Sequence, residues 1–384
     1  MKKILLSTSI ILITTLIINA NSISESFNNL TVDGYIRAAY ENHHIIDDKT
    51  YTDGAIGGKL HIETAPYYGV SIGSSFYTSN ALGTSDNHGL VLFRGEVANS
   101  YSILGEAYIK VQLGNTLIKL GRQEIDTPFA DTDDIGLVPN TFEAYILENK
   151  DITDTTLFVG QIQKMAGVDA DVVDDFTCVN AGNNMQVIGL TYEGIENLGL
   201  TAWYYHLKDA KIDSISYAEA MYEGQGSTMG YGLGLQYAKQ TYATQEDATI
   251  YGIKGNVNHI PIGITLALAH NKVNGNAAFS GFGGGPFFSN SEYLIIDNAG
   301  ADGSQTWFGL EYDASSIGLN GLTLSLSKVI LKNQAKEAST QIDFVTSYKI
   351  YKNSEIHMIY SNLKGIYVGE DTAKHWRVFW NYTF

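Results

Sequence analysis

The sequence predicts an all-β fold, a transmembrane antiparallel β-barrel of about 18 strands with long outer loops and short periplasmic turns. Three observations predict it. Apolar and polar residues alternate with period two in segment after segment, and long and short links between those segments mostly alternate. Beyond the N-terminal leader, no stretch has the 18 or more consecutive apolar residues of a spanning helix. Composition agrees: 25 Tyr, 15 Phe and 39 Gly stand against 5 Pro, which suits short regular strands with interfacial aromatics.

The leader comes first. Lys2 and Lys3 precede an apolar run from Ile4 to Ile18 that is broken only by Ser and Thr, and small residues at Ala20 and Ser22 flank the expected cut. The run is too short for a spanning helix, which needs roughly 20 residues. Residues 1–22 therefore read as a cleaved signal peptide and 23–384 as a single barrel.

The final strand shows the alternation most clearly. Trp376, Val378, Trp380, Tyr382 and Phe384 alternate with His375, Arg377, Phe379, Asn381 and Thr383. In the first strand Val32, Ile36, Ala38 and Tyr40 oppose Thr31, Asp33, Tyr35, Arg37 and Glu41. In the second, Ile56, Leu60 and Ile62 oppose Lys59, His61 and Glu63. Further on, Ile103, Ala107, Ile109, Val111 and Leu113 oppose Glu106, Tyr108, Lys110 and Gln112, and Leu322, Leu324 and Leu326 oppose Thr323, Ser325 and Ser327. Charge decides which face meets lipid, since Lys or Arg facing lipid at the midplane costs on the order of 2–4 kcal/mol. Arg37, Lys59 and Lys110 share the polar parity, so that face should line a wet lumen. A packed core would have to bury and pair these ions.

The expected strands are 31–41, 55–65, 67–77, 102–113, 115–123, 142–149, 154–164, 184–194, 197–208, 212–222, 229–239, 248–258, 261–272, 304–313, 319–331, 338–350, 353–362 and 373–384. The links 42–54, 78–101, 124–141, 165–183 and 273–303 read as long loops. Tight turns are expected at Pro66, Gly114-Asn115, Asp151 to Thr153, Gly194 to Asn197 and Asn258 to Ile260.

Other classes are disfavoured. A net charge of −17 argues against nucleic acid, which needs a basic face. The one cysteine, Cys178, forms no internal disulfide and reads as a free thiol. Gly69-Val70-Ser71-Ile72-Gly73 matches a hydrolase pattern but sits in a period-two strand, without the strained strand-to-helix turn that chemistry needs. Gly281-Phe282-Gly283-Gly284-Gly285 lacks the Gly-Lys-Ser/Thr of a phosphate loop and reads as a flexible surface loop. Asp131, Asp133 and Asp134, and Asp169, Asp171, Asp174 and Asp175, do not have EF-hand spacing and read as solvated acidic loops. His43-His44 reads as an exposed pair on the first loop, too few ligands for a metal site. No metal, cofactor or catalytic site is expected. Arg37 has a structural reading too, as a partner of Glu41 or Glu63.

Leu104-Gly105-Glu106-Ala107-Tyr108 and Gly114-Asn115-Thr116-Leu117-Ile118-Lys119-Leu120-Gly121-Arg122-Gln123 resemble the OprD family of outer-membrane porins. So do Asp126-Thr127-Pro128 and Leu137-Val138-Pro139-Asn140-Thr141-Phe142-Glu143. Gly34-Tyr35-Ile36-Arg37 and Gly57-Gly58-Lys59-Leu60 look like that family's first two strands. The resemblance implies an 18-strand barrel in which the third outer loop folds inward, here Glu124 to Thr141. It implies a basic wall facing an acidic pocket, and a preference in many members for carboxylate-bearing solutes. The candidates for that wall are Arg37, Lys59, Lys110, Lys119, Arg122 and Arg377. The constriction candidates are Asp126, Asp131, Asp133, Asp134 and Glu143. One departure matters: Gly136 stands where the family commonly has Arg, in a loop rich in Asp, which leans the pore toward cations or zwitterions.

The resulting expectation is passive, selective diffusion of small hydrophilic solutes (ions, amino acids or small carboxylates) across an outer membrane. Expected partners are outer-membrane lipid and lipopolysaccharide, and the barrel-assembly machinery reading the strand that ends on Phe384. The chain is expected as a monomer or homotrimer. Two other readings remain open. One is an adhesive or structural barrel using an exposed aromatic loop with Phe279, Phe282, Phe287 and Phe288. The other is an outer-membrane hydrolase.

Overall fold

The computed structural model describes residues 20–45, 49–82, 100–180, 182–207, 212–365 and 372–384. The leader before residue 20 and most of the expected 78–101 link lie outside the described residues.

Among the described residues, eighteen strands form the wall. They are β1 (Thr31–Ile45), β2 (Lys49–Glu63), β3 (Val70–Ala81), β4 (Tyr101–Leu113), β5 (Thr116–Gln123), β6 (Thr141–Asn149), β7 (Thr155–Ala166), β8 (Met185–Ile195) and β9 (Leu198–Leu207). Then follow β10 (Ile212–Gln225), β11 (Met229–Tyr242), β12 (Ala248–His259), β13 (Ile264–Gly275), β14 (Ser304–Asp313), β15 (Leu322–Lys332), β16 (Ala338–Tyr351), β17 (Ser354–Gly365) and β18 (Thr372–Thr383). Each pairs antiparallel with its sequence neighbours. The first meets the last, from Tyr35↔Thr383 to His44↔Lys374, so the sheet closes on itself and no edge remains.

Every expected strand forms, with ends shifted by a few residues. Period two explains why: a closed barrel needs an apolar outer face on each strand, and each strand carries one. Ile36, Leu60 and Ile109 are each more than 40% exposed on that outer face, a band that a soluble protein would not tolerate. Trp380 stacks on Tyr382 at 6.4 Å toward the turn rim, and Tyr40 meets Trp376 at 5.1 Å toward the loop rim, as interfacial aromatics do.

Three expectations are corrected. The 42–54 link is mostly wall, because β1 and β2 stay paired as far as Ile45↔Lys49. His43 and His44 therefore lie on a strand, and His43 points inward onto His375. Ile103 does not share the outward face with Ile109. It is buried inside, while Leu104 is exposed. A β-bulge is the cause: Ser75 pairs Glu106 and Phe76 pairs Leu104, so Gly105 is the extra residue and parity flips there.

The third correction concerns the interior, which is only partly a wet lumen. Residues 124–140 and 276–303 both fold inward. Phe129, Phe287, Phe288, Leu294 and Ile296 pack against inward wall residues Tyr205, Ile215, Ile250 and Val329. The apolar inward positions of β6 to β15 are thus covered by apolar loop residues. The aromatics of the second loop do not form an exposed adhesive patch, since Phe287 is fully buried and Phe288 nearly so. The Gly281 run is no free surface loop either. A Cβ on Gly281 would sit 2.5 Å from the Phe129 carbonyl oxygen, and one on Gly283 would sit 2.2 Å from that of Asp131. These glycines let the two loop backbones touch.

One element has no counterpart among the expected strands. A short helix, α1 (Ile23–Asn28), lies under the turn rim. The Ser22 side chain accepts from the Glu25 amide, and Glu25 reaches back to the Asn21 amide at 2.8 Å. The Ser26 hydroxyl donates to the Ala65 carbonyl, which docks the helix on the β2–β3 turn.

Candidate functional site

Strand register brings the charged inward side chains together on one half of the wall. Arg122 pairs Glu143 across β5 and β6, and Glu143 pairs Lys164 across β6 and β7. Their charged atoms lie 3.8 and 3.7 Å apart, but this row of alternating sign sits near the loop rim on the outward parity of Ile109, Leu120 and Tyr145, apart from the inward charges. Lys110 and Lys119 face each other across β4 and β5, which alone would repel. Each turns to its own carboxylate: Lys110 to Glu63, and Lys119 to Glu106 at 3.5 Å.

Glu106 is the hub of this half. It is nearly fully buried and takes Lys59 Nζ at 3.0 Å, the Tyr77 hydroxyl at 3.2 Å and the Ser75 hydroxyl. Lys59 also reaches Glu124, at the base of the first inward loop, at 2.8 Å. Buried charges of this kind persist only when paired and hydrogen-bonded, and here both conditions hold.

Arg37 does not pair with Glu41 or Glu63. Its guanidinium grips Asp134 of the inward loop with two bonds of 2.7 and 2.9 Å, takes the Gly136 carbonyl, and bonds Asn381 at 2.6 Å. The acceptor is thus the backbone of the position where the family pattern places an arginine. Arg377 pairs with Glu292 of the second inward loop. The ring of Tyr293 then sits 4.5 Å from His375, and His43 bonds Glu41 at 3.0 Å.

Five of the six expected basic residues thus face the interior, each beside a carboxylate. Arg122 does not, because it stands three residues from inward Lys119 on an unbroken strand and shares the outward face of Leu120. The expected acidic loop residues divide. Asp134 is on Arg37, whereas Glu143 is not in the constriction: it is a wall residue between two cations on the outward parity of Tyr145. Asp126 and Asp131 sit opposite each other in a two-residue hairpin, with Asp126 exposed. Asp133 is turned into the protein, and its amide donates to Asp131 at 3.0 Å. Among the described residues no three His, Cys, Asp or Glu are grouped to hold a metal.

Sequence reasoning missed several members. Glu106 was legible as an inward residue but not as a hub. Glu292 and Tyr293 lie in a loop with no period to read. The wall amides that hold the second loop were also missed. Gln236 donates to the Pro286 carbonyl at 2.8 Å, Gln240 to that of Phe279 at 2.6 Å, and Gln305 to that of Ser289 at 2.6 Å. Gln341 and Asn271 accept from the Leu294 and Ser289 amides at 2.8 and 2.9 Å. They satisfy backbone groups that an inward loop would otherwise bury unpaired.

A family profile described as outer membrane porin, OprD family, matches residues 48–384. No curated protein matches the sequence. Solved structures match over nearly the whole chain at low identity. OccK9 (OpdG) of Pseudomonas aeruginosa is 17% identical with a TM-score of 0.80, covering 94% of this chain and 99% of that one. OccAB1 of Acinetobacter baumannii is 15% identical with a TM-score of 0.79, covering 92% and 96%. OpdK of Pseudomonas aeruginosa, solved with vanillate, is 17% identical with a TM-score of 0.78, covering 93% and 99%. At such identities the structural likeness speaks to the fold alone.

Proposed function

Since the chain belongs to the OprD family of outer-membrane porins, we propose that it passes small hydrophilic solutes by passive, selective diffusion along the charged half of its interior. Zwitterions such as amino acids, and small cations, are favoured over free carboxylates. One observation carries the preference: each of the five inward wall cations already has a carboxylate beside it.

The mechanism involves no covalent chemistry. The inward loops take up one side of the barrel, so solutes run beside alternating cations and carboxylates. A zwitterion can exchange partners along the inward charges, its ammonium on Glu124 or Glu63 and its carboxylate on Lys110 or Lys119. A lone carboxylate must compete with the carboxylates already present. Vanillate, the ligand of the OpdK structure, carries such a group. Many weak, similar sites along a path permit both entry and exit.

The test is conductance of purified protein in planar bilayers, with reversal potential across a salt gradient. Cation-leaning selectivity is expected, with Glu106→Gln and Asp134→Asn shifting it toward anions. A sealed bilayer with folded protein would end the channel reading. Anion selectivity in the parent would end only the preference.

A further inference from the structure

The outer surface of β13 to β15 changes polarity row by row toward the loop rim. Register places Leu266, Leu310 and Leu326 in one row, then Leu268, Phe308 and Lys328, then His270, Thr306 and Ile330. The last row is Lys272, Ser304 and Lys332. Leu266, Leu268, Phe308 and Leu326 are exposed on the lipid side. The sequence from leucine row to lysine row covers six residues, roughly 20 Å of strand, the depth from hydrocarbon into headgroups.

The basic row opens into a cavity of about 560 Å³ lined by Lys272, Lys332 and Lys336, with His270, Ser304 and Asp302 among its other walls. Three ammonium groups face one carboxylate there. That carboxylate is engaged by the protein itself: Asp302 accepts from the Gly275 amide at 2.9 Å and from Gln334 at 3.0 Å. Lys272 donates to the Asp302 carbonyl. Among the described residues, Lys328, Lys332 and Lys336 are in no ion pair. In a chain of net charge −17, unneutralised lysines gathered on the lipid side need an anionic neighbour. Lys328, inside the apolar band, points the same way, because its ammonium must rise toward charged headgroups.

We propose that this cavity binds the phosphates of an outer-leaflet glycolipid headgroup. A phosphate sits over Ser304 between Lys272 and Lys332, which flank it from two strands roughly 10 Å apart. Lys336 comes down from the β15–β16 hairpin to a second phosphate. The acyl chains lie on Leu266, Leu268, Phe308 and Leu326. Spread over this distance, three ammonium groups suit a headgroup with more than one phosphate better than a single phosphodiester. The site is outside the barrel and independent of the solute path.

The test uses the folded full-length barrel in detergent, titrated with bisphosphorylated lipid A and followed by native mass spectrometry. Dephosphorylated lipid A and phosphatidylglycerol are the comparators. Lys332→Gln should weaken lipid A binding about fivefold, and Lys272→Gln, Lys332→Gln and Lys336→Gln together on the order of a hundredfold. Lys150→Gln, on the turn rim, should leave it unchanged. Bilayer conductance of the triple variant should match the parent, which checks its fold and separates this site from the channel reading. If the triple variant does not fold, Lys332→Gln decides alone. Undiminished binding by the variants, or equal binding of dephosphorylated lipid A, would overturn the site. Phosphatidylglycerol binding as tightly as lipid A would overturn the glycolipid assignment.

Discussion

Arg37 shows how much one side chain does here. It joins β1 to β18 through Asn381 and to the first inward loop through Asp134 and Gly136. Removing it leaves a half-buried carboxylate and a carbonyl without their donor, which costs more than losing a surface pair. In a double-mutant cycle of Arg37→Ala with Asp134→Ala, urea unfolding in lipid should give a coupling of about 2 kcal/mol. A coupling near zero would mean that the loop is held elsewhere. At the same scale, the sequence showed that Arg37 faces inward but not what it would meet. Its partner lies 97 residues away, in a loop whose path no local pattern fixes.

At the scale of elements, the two inward loops hold each other. The Asp131 amide donates to the Phe282 carbonyl at 2.9 Å, and the Phe282 amide donates to that of Phe129 at 2.8 Å. The Phe129 ring lies 5.6 Å from those of Tyr205 and Tyr217 and 5.8 Å from that of Phe287. Phe129→Ala should cost about 3 kcal/mol of loop packing while leaving the hydrogen-bonded wall intact. Larger or noisier single-channel currents from a normally folded barrel are the expected reading, and currents identical to the parent would contradict it. The second loop also carries a titratable anchor. The Asp297 carboxylate accepts from the Ser280 amide and hydroxyl, each at 2.7 Å. Burial outweighs those bonds and pushes its pKa up to about 6 from an ordinary 3.8. The sign follows: the loop fold favours the protonated acid. Its contribution is full below the unfolded pKa near 4 and is lost as pH rises to about 6, by about 3 kcal/mol. Hydrogen-exchange protection of residues 280–297, corrected for intrinsic rate, should fall across that window in the parent and stay flat in Asp297→Asn. The same slope in both would remove Asp297 as the cause.

Over the whole molecule, closure is the feature on which the rest depends. The β1–β18 seam completes the ring, and near its turn-rim end Phe384 donates to the Gly34 carbonyl at 3.1 Å and accepts from its amide at 3.2 Å. Gly34 has no side chain to block this: a Cβ there would sit 3.0 Å from the Phe384 ring and 2.0 Å from the Lys59 carbonyl oxygen. Deleting Phe384 removes both bonds and the terminal aromatic expected to guide assembly. The truncated chain should be depleted from outer membranes and lose the heat-modifiable band of a folded barrel. Whatever fraction does fold should keep the parent reversal potential, because no charged wall residue is touched. Normal insertion of the truncated chain would show that the terminal aromatic has no such role.

The barrel, its strands and the outward face of most of them are legible in the amino-acid pattern alone. The reason is physical: lipid demands an apolar residue at every second position, and that demand is written locally in each strand, as in Val32, Ile36 and Tyr40 or Trp376, Val378 and Trp380. The pattern marked Arg37, Lys59, Lys110 and Arg377 as inward by the same rule; Lys119 and Arg122 were expected from the family resemblance, and of these only Lys119 faces inward. Where a bulge adds one residue, as at Gly105, the rule fails and Ile103 changes side. Which carboxylate each cation meets, and the apolar packing around Phe129 and Phe287 that fills part of the interior, were not legible before the strands came together. Loops answer to no period. Their paths follow from what the closed wall leaves to be covered, and that exists only once strands hundreds of residues apart in sequence have met.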